Sequence, residues 1–141
     1  MKLTLDTGII LAFVLEEEDK DLEGLEKLFQ SINVGKYTAN ISTITVSEIF
    51  AAFSKLGEAK KAVETIVSLK EMGILIVDVN ENIAKAGGIF KAKYSRAKKG
   101  FSYADAIVLA TSLFTESDAL VTYDPEFSGI LEIKILKPEN L

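Results

Sequence analysis

The stretch "SYADAIVLATSLFTESDALVTYD", residues 102–124, decides the fold because it predicts a helix that leads directly into a buried strand. The helix runs from residue 102 to about 116, and the apolar run "ALVTY" at 119–123 predicts the strand. The strand ends at Asp124, because Pro125 cannot donate a ladder hydrogen bond. A helix followed by a strand is the repeating unit of an α/β fold.

The rest of the chain shows the same alternation of helices and strands. We predict strands at residues 2–5, 37–42, 74–79, 119–123 and 132–136, and helices at 7–16, 21–32, 45–56, 58–72, 81–97 and 102–116. The β-branched run "ILIVDV" at 74–79 predicts a buried strand. Strands separated by helical crossovers pair in parallel. We therefore expect one α/β domain over residues 1–141, with a central parallel sheet of four to five strands flanked by helices on both faces.

The composition limits the chemistry that the protein can perform. At 141 residues and 48% hydrophobic content, the chain has the length of one domain and can bury a core. It contains no Cys and no His, which excludes disulfides, thiolate nucleophiles, Ser-His triads and the usual zinc sites. Chemistry is thereby left to carboxylates, Lys, Tyr, hydroxyl groups or a hard metal ion. No apolar run is long enough to span a membrane and no signal-peptide cleavage site follows the N-terminus, so we expect a cytoplasmic protein.

Charge is distributed unevenly along the chain. The net charge is −5, and residues 16–27, with seven acidic residues and two Lys, account for all of it. The segment "KAKYSRAKKG", residues 91–100, is basic and contains no acid. Both charge runs are explained most simply as solvated surface. The basic segment is also a candidate for contacts with phosphate groups, through Lys91, Lys93, Arg96, Lys98 and Lys99.

Four carboxylates fall where an open parallel sheet binds its ligands. Asp6 in "LTLDTG" and Asp124 in "LVTYD" end strands, whereas Glu48 and Asp105 lie in the first turns of helices. The loops at the carboxyl ends of parallel strands meet at one edge of the sheet, so these side chains are expected to converge. Four anions at one edge repel each other unless they are solvated, protonated or bridged by a cation. Mg²⁺ or Mn²⁺ would suit such oxygen ligands and would support phosphodiester hydrolysis.

Each acid also has a purely local interpretation. Thr45-x-x-Glu48 and Ser102-x-x-Asp105 have the spacing of capping boxes, in which side chains bond to the free N–H groups at a helix start. The two acids that end strands would then cap a helix and form a turn. Taken one at a time, these local roles explain each acid, and only their convergence favours a shared site.

At these residues the chain resembles the PIN-domain family of metal-dependent ribonucleases, and most closely its single-domain VapC-type toxins. Four motifs carry the resemblance: "LTLDT" at 3–7, "ISTITVSEIF" at 41–50, "SYADAIVLATSL" at 102–113 and "LVTYDPEF" at 120–127. Each is weak alone, but their order, spacing and predicted context are fairly specific. The resemblance covers essentially the whole chain.

The resemblance implies a catalytic centre and a set of partners. It places Asp6, Glu48, Asp105 and Asp124 around Mg²⁺ or Mn²⁺, with Asp6 and Asp105 as the metal ligands. Thr7 and Thr122 match hydroxyl positions that would orient a water molecule or a carboxylate. The implied reaction is endonucleolytic cleavage of RNA, with the basic segment as the candidate RNA contact. Toxins of this family usually form homodimers and are silenced by an antitoxin whose tail occupies the acidic cleft. The apolar faces of the helices after Thr7 and Thr45 are candidate dimer contacts.

Three other functions are compatible with an acid after the first strand. An aspartyl-nucleophile phosphatase usually needs a second acid two residues later, where this chain has Gly8. A phospho-accepting receiver domain has Lys137 available but lacks the paired acids. The third alternative is a catalytically silent PIN-like scaffold that binds RNA or protein. All four acids are present, so the nuclease is favoured over the scaffold.

Overall fold

The computed structural model describes residues 1–141 as an alternation of five strands and six helices. The strands are β1 (Lys2–Leu5), β2 (Thr38–Ser42), β3 (Leu75–Val77), β4 (Ala119–Val121) and β5 (Lys134–Leu136). The helices are α1 (Thr7–Val14), α2 (Leu22–Asn33), α3 (Thr43–Lys55), α4 (Ala59–Glu71), α5 (Glu81–Tyr94) and α6 (Tyr103–Phe114). Short 3₁₀ turns lie at Pro125–Phe127 and Pro138–Asn140. None of the helices is both long and apolar enough to cross a lipid bilayer.

All five strands form one parallel sheet in the order β3-β2-β1-β4-β5. The chain builds outward from β1 through β2 to β3, then returns to the other side of β1 for β4 and β5. The winding direction therefore reverses between β1 and β4. In open parallel sheets, ligands bind beyond the carboxyl ends of the strands at this switch point.

Alternate residues of the central strands face opposite sides of the sheet, and helices cover both. Leu3 and Leu5 of β1 belong to a cluster of 18 buried residues shared with α1 to α4. Leu120 of β4 belongs to a second cluster of 8 buried residues, which includes side chains of α5 and α6. A single α/β domain with a parallel sheet and helices on both faces is thus confirmed.

The prediction of a buried strand at 74–79 was wrong in length and in position. The strand spans only Leu75–Val77 and lies at the edge of the sheet, where Leu75 is 68% exposed. A β-branched run favours a strand, but the position of that strand within the sheet depends on pairings with distant residues. The run therefore predicted the element correctly and its environment incorrectly.

Helices α5 and α6 pack against each other in antiparallel orientation. A Cβ atom added at Gly87 would lie 3.0 Å from Cγ1 of Ile107, so the absence of a side chain permits this close approach. Further along, the ammonium group of Lys91 donates a hydrogen bond to the carbonyl of Phe101 at 2.6 Å. The last turn of α5 and the basic segment that follows it therefore lie beside the first turn of α6, which carries Asp105.

Candidate active site

Asp6 lies at the end of β1, in the centre of the sheet and beside the switch point. Its backbone N–H donates to the carbonyl of Val121 on β4 at 3.0 Å, and the residue is only 8% exposed. Oδ1 accepts the N–H of Thr7 at 2.9 Å, so Asp6 caps α1. Oδ2 accepts the hydroxyl of Thr122 at 2.7 Å. The Asp6 side chain therefore both caps α1 and contacts Thr122, the residue that follows β4.

Glu48 is joined to this edge through Thr7, the residue directly after Asp6. The Thr7 hydroxyl donates to Oε1 of Glu48 at 2.7 Å and lies 3.2 Å from Oγ1 of Thr45. Thr7 thus contacts Asp6 through its backbone and Glu48 through its side chain. The orienting role of Thr7 stays a prediction.

The predicted capping box of Thr45 and Glu48 was wrong. Helix α3 begins at Thr43, two residues before Thr45, and its cap is Ser42, whose Oγ accepts the N–H of Ile44 at 3.1 Å. Thr45 is instead fully buried inside the helix and faces Thr7. Sequence reasoning missed it as a member of the site, although its position one turn before Glu48 places both side chains on one face.

Asp105 forms the capping box predicted from the sequence. The N–H of Asp105 donates to Oγ of Ser102 at 3.1 Å, and the N–H of Ser102 donates to Oδ2 of Asp105 at 2.8 Å. The residue is half-buried. Its other carboxylate oxygen, Oδ1, accepts no hydrogen bond from the protein. One oxygen therefore fixes the helix start and the other is free.

Asp124 caps the 3₁₀ turn after β4, as the turn interpretation predicted. Its Oδ1 accepts the N–H of Glu126 at 2.9 Å, and its own N–H donates to Oγ1 of Thr122 at 3.0 Å. Because the Thr122 hydroxyl also donates to Asp6, it links two of the predicted site acids. Thr122 is 2% exposed, so this link is shielded from water.

The pKa values of two of the site acids, Asp6 and Asp105, are raised. The pKa of Asp6 is raised from 3.8 to about 6: burial is the largest cause, hydrogen bonds from Thr122 and Thr7 oppose it, and the negative charges of Asp105 and Glu48 add to it. Burial also raises the pKa of Asp105, with contributions from the charges of Asp124 and Glu48. None of the four forms a salt bridge with Lys or Arg. The carboxyl edge of the sheet therefore carries an excess of negative charge, and no Lys or Arg side chain pairs with the four acids.

This donor set fits a hard divalent cation with few direct protein ligands. No three acidic side chains lie close enough together to hold one ion jointly. Mg²⁺ usually binds one or two carboxylates and keeps water molecules or substrate phosphates as its other ligands. Two carboxylate ligands, Asp6 and Asp105, were predicted from the sequence, which is the number that Mg²⁺ usually binds. Their metal-binding roles stay predictions.

The basic segment lies next to Asp105, but most of its side chains already bond to the protein. Lys91 and Lys98 donate to the carbonyl oxygens of Phe101 and Ser128, and Lys93 pairs with the Glu132 carboxylate. Arg96 and Lys99 are exposed and form no salt bridge. The RNA contacts assigned to all five stay predictions, and the two free side chains are the most available for them.

Solved structures with the same fold include several toxin–antitoxin proteins. VapBC2 from Rickettsia felis, bound to a promoter DNA fragment, has a TM-score of 0.75 at 16% identity, with 97% of this chain and 98% of that chain covered. DNA-bound VapBC from Salmonella typhimurium has a TM-score of 0.74 at 18% identity, with 98% of each chain covered. VapC20 from Mycobacterium tuberculosis, described as a sarcin-ricin loop cleaving toxin, has a TM-score of 0.71 at 15% identity, covering 93% and 98%. At these identities the likeness concerns the fold.

A comparison with curated protein sequences finds no significant match. The family model described as "PIN domain" matches residues 3–131, which is nearly the whole chain. The matched range includes all four motifs on which the resemblance was based, the whole of β4 and all of β1 except Lys2. The chain therefore belongs to the PIN domain family.

Proposed function

We propose that this protein is a metal-dependent endoribonuclease that hydrolyses phosphodiester bonds in RNA. The observation that carries the proposal is that four carboxylates lie along the carboxyl edge of the sheet, near the switch point, and that none of them forms a salt bridge with Lys or Arg. A buried carboxylate without a counter-ion is costly, so its retention at a ligand-binding edge favours a role in binding a cation. Membership of the PIN domain family supports the same reaction class.

Mg²⁺ or Mn²⁺ would be held by Asp6 and Asp105 in this proposal. When bound, such an ion lowers the pKa of a water molecule and stabilises negative charge on the phosphoryl group. Thr122 and the backbone of Thr7 fix both oxygens of Asp6, which orients the carboxylate before the ion arrives. The N–H of Ser102 fixes Oδ2 of Asp105 and leaves Oδ1 free to bind the ion.

Glu48 and Asp124 would position and deprotonate water in this proposal. Thr7 donates to Oε1 of Glu48, so Oε2 is the oxygen left to accept a proton from the attacking water molecule. The N–H of Glu126 occupies Oδ1 of Asp124, which leaves Oδ2 for a water molecule. Glu48 and Asp124 thus each have one oxygen fixed by the fold and one available for the reaction.

We further propose that the protein is the toxin of a VapBC-type pair, acts in the cytoplasm and is silenced by an antitoxin that covers the acidic cleft. The support is the shared fold with structures that contain VapBC complexes. A homodimer is also expected, but the apolar face of α1 that was a candidate contact is core, since Ile9 and Ile10 are fully buried. The exposed Val63 and Val67 on one face of α4 are better candidates.

A catalytically silent scaffold is the second candidate, and one assay separates it from the nuclease. The protein is freed of divalent ions with a chelator, then incubated with structured RNA and added Mg²⁺ or Mn²⁺. Wild type is compared with Asp6→Asn, with Asp105→Asn and with Asp118→Asn as a matched control. Asp118 is exposed at the opposite edge of the sheet, where Oδ2 accepts the N–H of Lys2 at 2.7 Å.

We expect ion-dependent cleavage by wild type and by Asp118→Asn, and little by either site variant. Equal cleavage by all four proteins would show that the activity does not use this edge. No cleavage by any of them would support the scaffold instead.

A further inference from the structure

Tyr103 is a large aromatic side chain that the fold leaves exposed on the first turn of α6, the turn that also carries Asp105. It is the first residue of α6, two positions before Asp105, and it is 66% exposed. It belongs to neither core cluster, and its hydroxyl group takes part in no hydrogen bond within the protein. An exposed aromatic ring that contributes little to packing needs another explanation at this position.

A cation is held against this ring by the fold. Lys91 lies on the last turn of α5, and its ammonium nitrogen is 5.4 Å from the centre of the Tyr103 ring. One of its three N–H groups donates to the carbonyl of Phe101, which leaves two donors free. The charge is therefore anchored next to the ring and can still bind an anion.

Recognition of unpaired nucleotides uses this combination of groups. Proteins that bind single-stranded nucleic acid stack bases on aromatic side chains and contact the backbone phosphates with nearby cations. Among the large apolar side chains that are exposed, only Tyr103 and Phe114 are aromatic. Phe114 is the last residue of α6, at the end of the helix away from Asp105.

We infer that Tyr103 and Lys91 form a nucleotide-binding subsite next to the candidate active site. The ring stacks on an unpaired base that flanks the cleaved bond, and the Lys91 ammonium contacts a phosphate of the same strand. The inference rests on the proposed function, because it takes RNA as the substrate of the adjacent carboxylates. Stacking is available to every base, so the subsite selects unpaired nucleotides over paired ones and does not read one base identity.

Binding without catalysis tests the stacking directly. A single-stranded RNA oligonucleotide that carries 2-aminopurine is titrated with chelator-treated protein, in which no divalent ion is present. We expect fluorescence quenching with wild type and with Tyr103→Phe, and its loss with Tyr103→Ala together with an affinity about tenfold weaker. Phe114→Ala is the matched control because it removes the other exposed aromatic ring of the same helix, and it should behave as wild type.

Tyr103→Ala should melt at the wild-type temperature, since the side chain is mostly outside the core. Equal affinity and equal quenching by Tyr103→Ala and wild type would overturn the stacking role.

Lys91 is tested through the salt dependence of the same binding reaction. Lys91→Met removes the charge but keeps the aliphatic stem, and it should reduce the slope of log affinity against log salt by about 0.7, the value for one phosphate contact on a single strand. Lys91→Arg should keep the slope. Lys85→Met, on the same helix, is the matched control. An unchanged slope for Lys91→Met would remove Lys91 from the subsite.

Steady-state cleavage separates this inference from the proposed function. If the subsite is correct, Tyr103→Ala raises KM about tenfold and changes kcat less than twofold, because the residue positions substrate and does not touch the reacting atoms. Ion-dependent cleavage with an unchanged KM would overturn the subsite and leave the nuclease intact. Quenching that depends on Tyr103 in a protein that never cleaves would support the subsite and overturn the nuclease. Neither binding nor cleavage by wild type would overturn both.

Discussion

Two polar clusters, one beside Thr4 of β1 and one just beyond the carboxyl end of β1, differ in one decisive respect. The amide cluster consists of Thr4, Asn40, Thr115 and Ser117, and the carboxylate cluster consists of Asp6, Thr7, Thr45, Glu48 and Thr122. In the amide cluster the Thr4 hydroxyl donates to Oδ1 of Asn40 at 2.8 Å, and Nδ2 of Asn40 lies 3.2 Å from Oγ of Ser117. In the carboxylate cluster, hydroxyl groups bond to anions that have no counter-ion.

Under the proposed function, the difference separates a structural cluster from a functional one. Neutral groups that satisfy each other in the interior add specificity to the fold and need nothing from outside. Carboxylates gathered without a cation carry an electrostatic cost, which a ligand of positive charge can remove. Thr4 and Asp6 are only two residues apart on the chain, yet Thr4 belongs to the neutral cluster and Asp6 to the charged one.

The largest effect is expected for Asp6→Asn, which makes the carboxylate cluster resemble the amide cluster. Nuclease activity should fall more than about 100-fold, because even outer partners of metal ligands are worth about 10-fold to 100-fold. Stability of the chelator-treated protein at pH 7.5 should rise, because a buried charge is removed. Activity measured as kcat/KM and urea denaturation provide the two readouts. A variant that loses stability and keeps activity would place Asp6 with the structural cluster.

In the ion-free protein, the free energy of unfolding should depend on pH through Asp6, and this dependence should be absent in Asp6→Asn. The folded-state pKa of Asp6 is raised from 3.8 to about 6, so the folded state holds a proton that the unfolded chain has lost. The associated stability is fully present below about pH 4 and is lost as pH rises through about 6, a change of about 3 kcal/mol. Urea denaturation of wild type and Asp6→Asn across this range measures it. Parallel curves for the two proteins would contradict the prediction.

Matched Thr→Val substitutions should lower activity in the carboxylate cluster and stability in the amide cluster. Thr122→Val removes the hydroxyl that holds Asp6, and we expect about 10-fold to 100-fold less activity. Thr4→Val breaks the amide cluster and should lower the free energy of unfolding by about 1–3 kcal/mol, with activity within about twofold of wild type. Cleavage kinetics and urea denaturation of both variants decide the matter. The comparison fails if Thr4→Val costs as much activity as Thr122→Val.

The smallest effect is expected from single exposed cations on the two edges of the sheet. Lys99→Ala, in the basic segment beside Asp105, should weaken binding of single-stranded RNA about twofold and reduce the salt slope by about 0.7. Lys134→Ala is the matched control, since Lys134 is exposed at the start of β5 and therefore at the opposite edge. Equal losses for both variants would indicate nonspecific attraction and no RNA path along the carboxylate edge.

Local signals predicted the parts of the site that depend on short stretches of chain. The capping box of Ser102 and Asp105 joins residues three apart, and the cap formed by Asp6 joins neighbours, so both could be read directly from the sequence. The cap of α3 was misplaced because Ser42 and Thr45 are both good candidates. The propensity signals could not choose between them; in the structure Ser42 caps the helix and Thr45 contacts Thr7.

The sequence by itself determined the fold class, the carboxyl-edge positions of the acids and the family, because periodicity, punctuation by Gly and Pro, and motif order are properties of the chain. Only the tertiary structure decided which groups meet. The contact of Thr7 with Glu48 spans 41 residues and that of Thr122 with Asp6 spans 116, and both follow from the strand order β3-β2-β1-β4-β5. The exposure of Tyr103 and the edge position of β3 have the same origin. Such pairings are set by the free energy of the whole core, which cannot be read from any short segment of the chain.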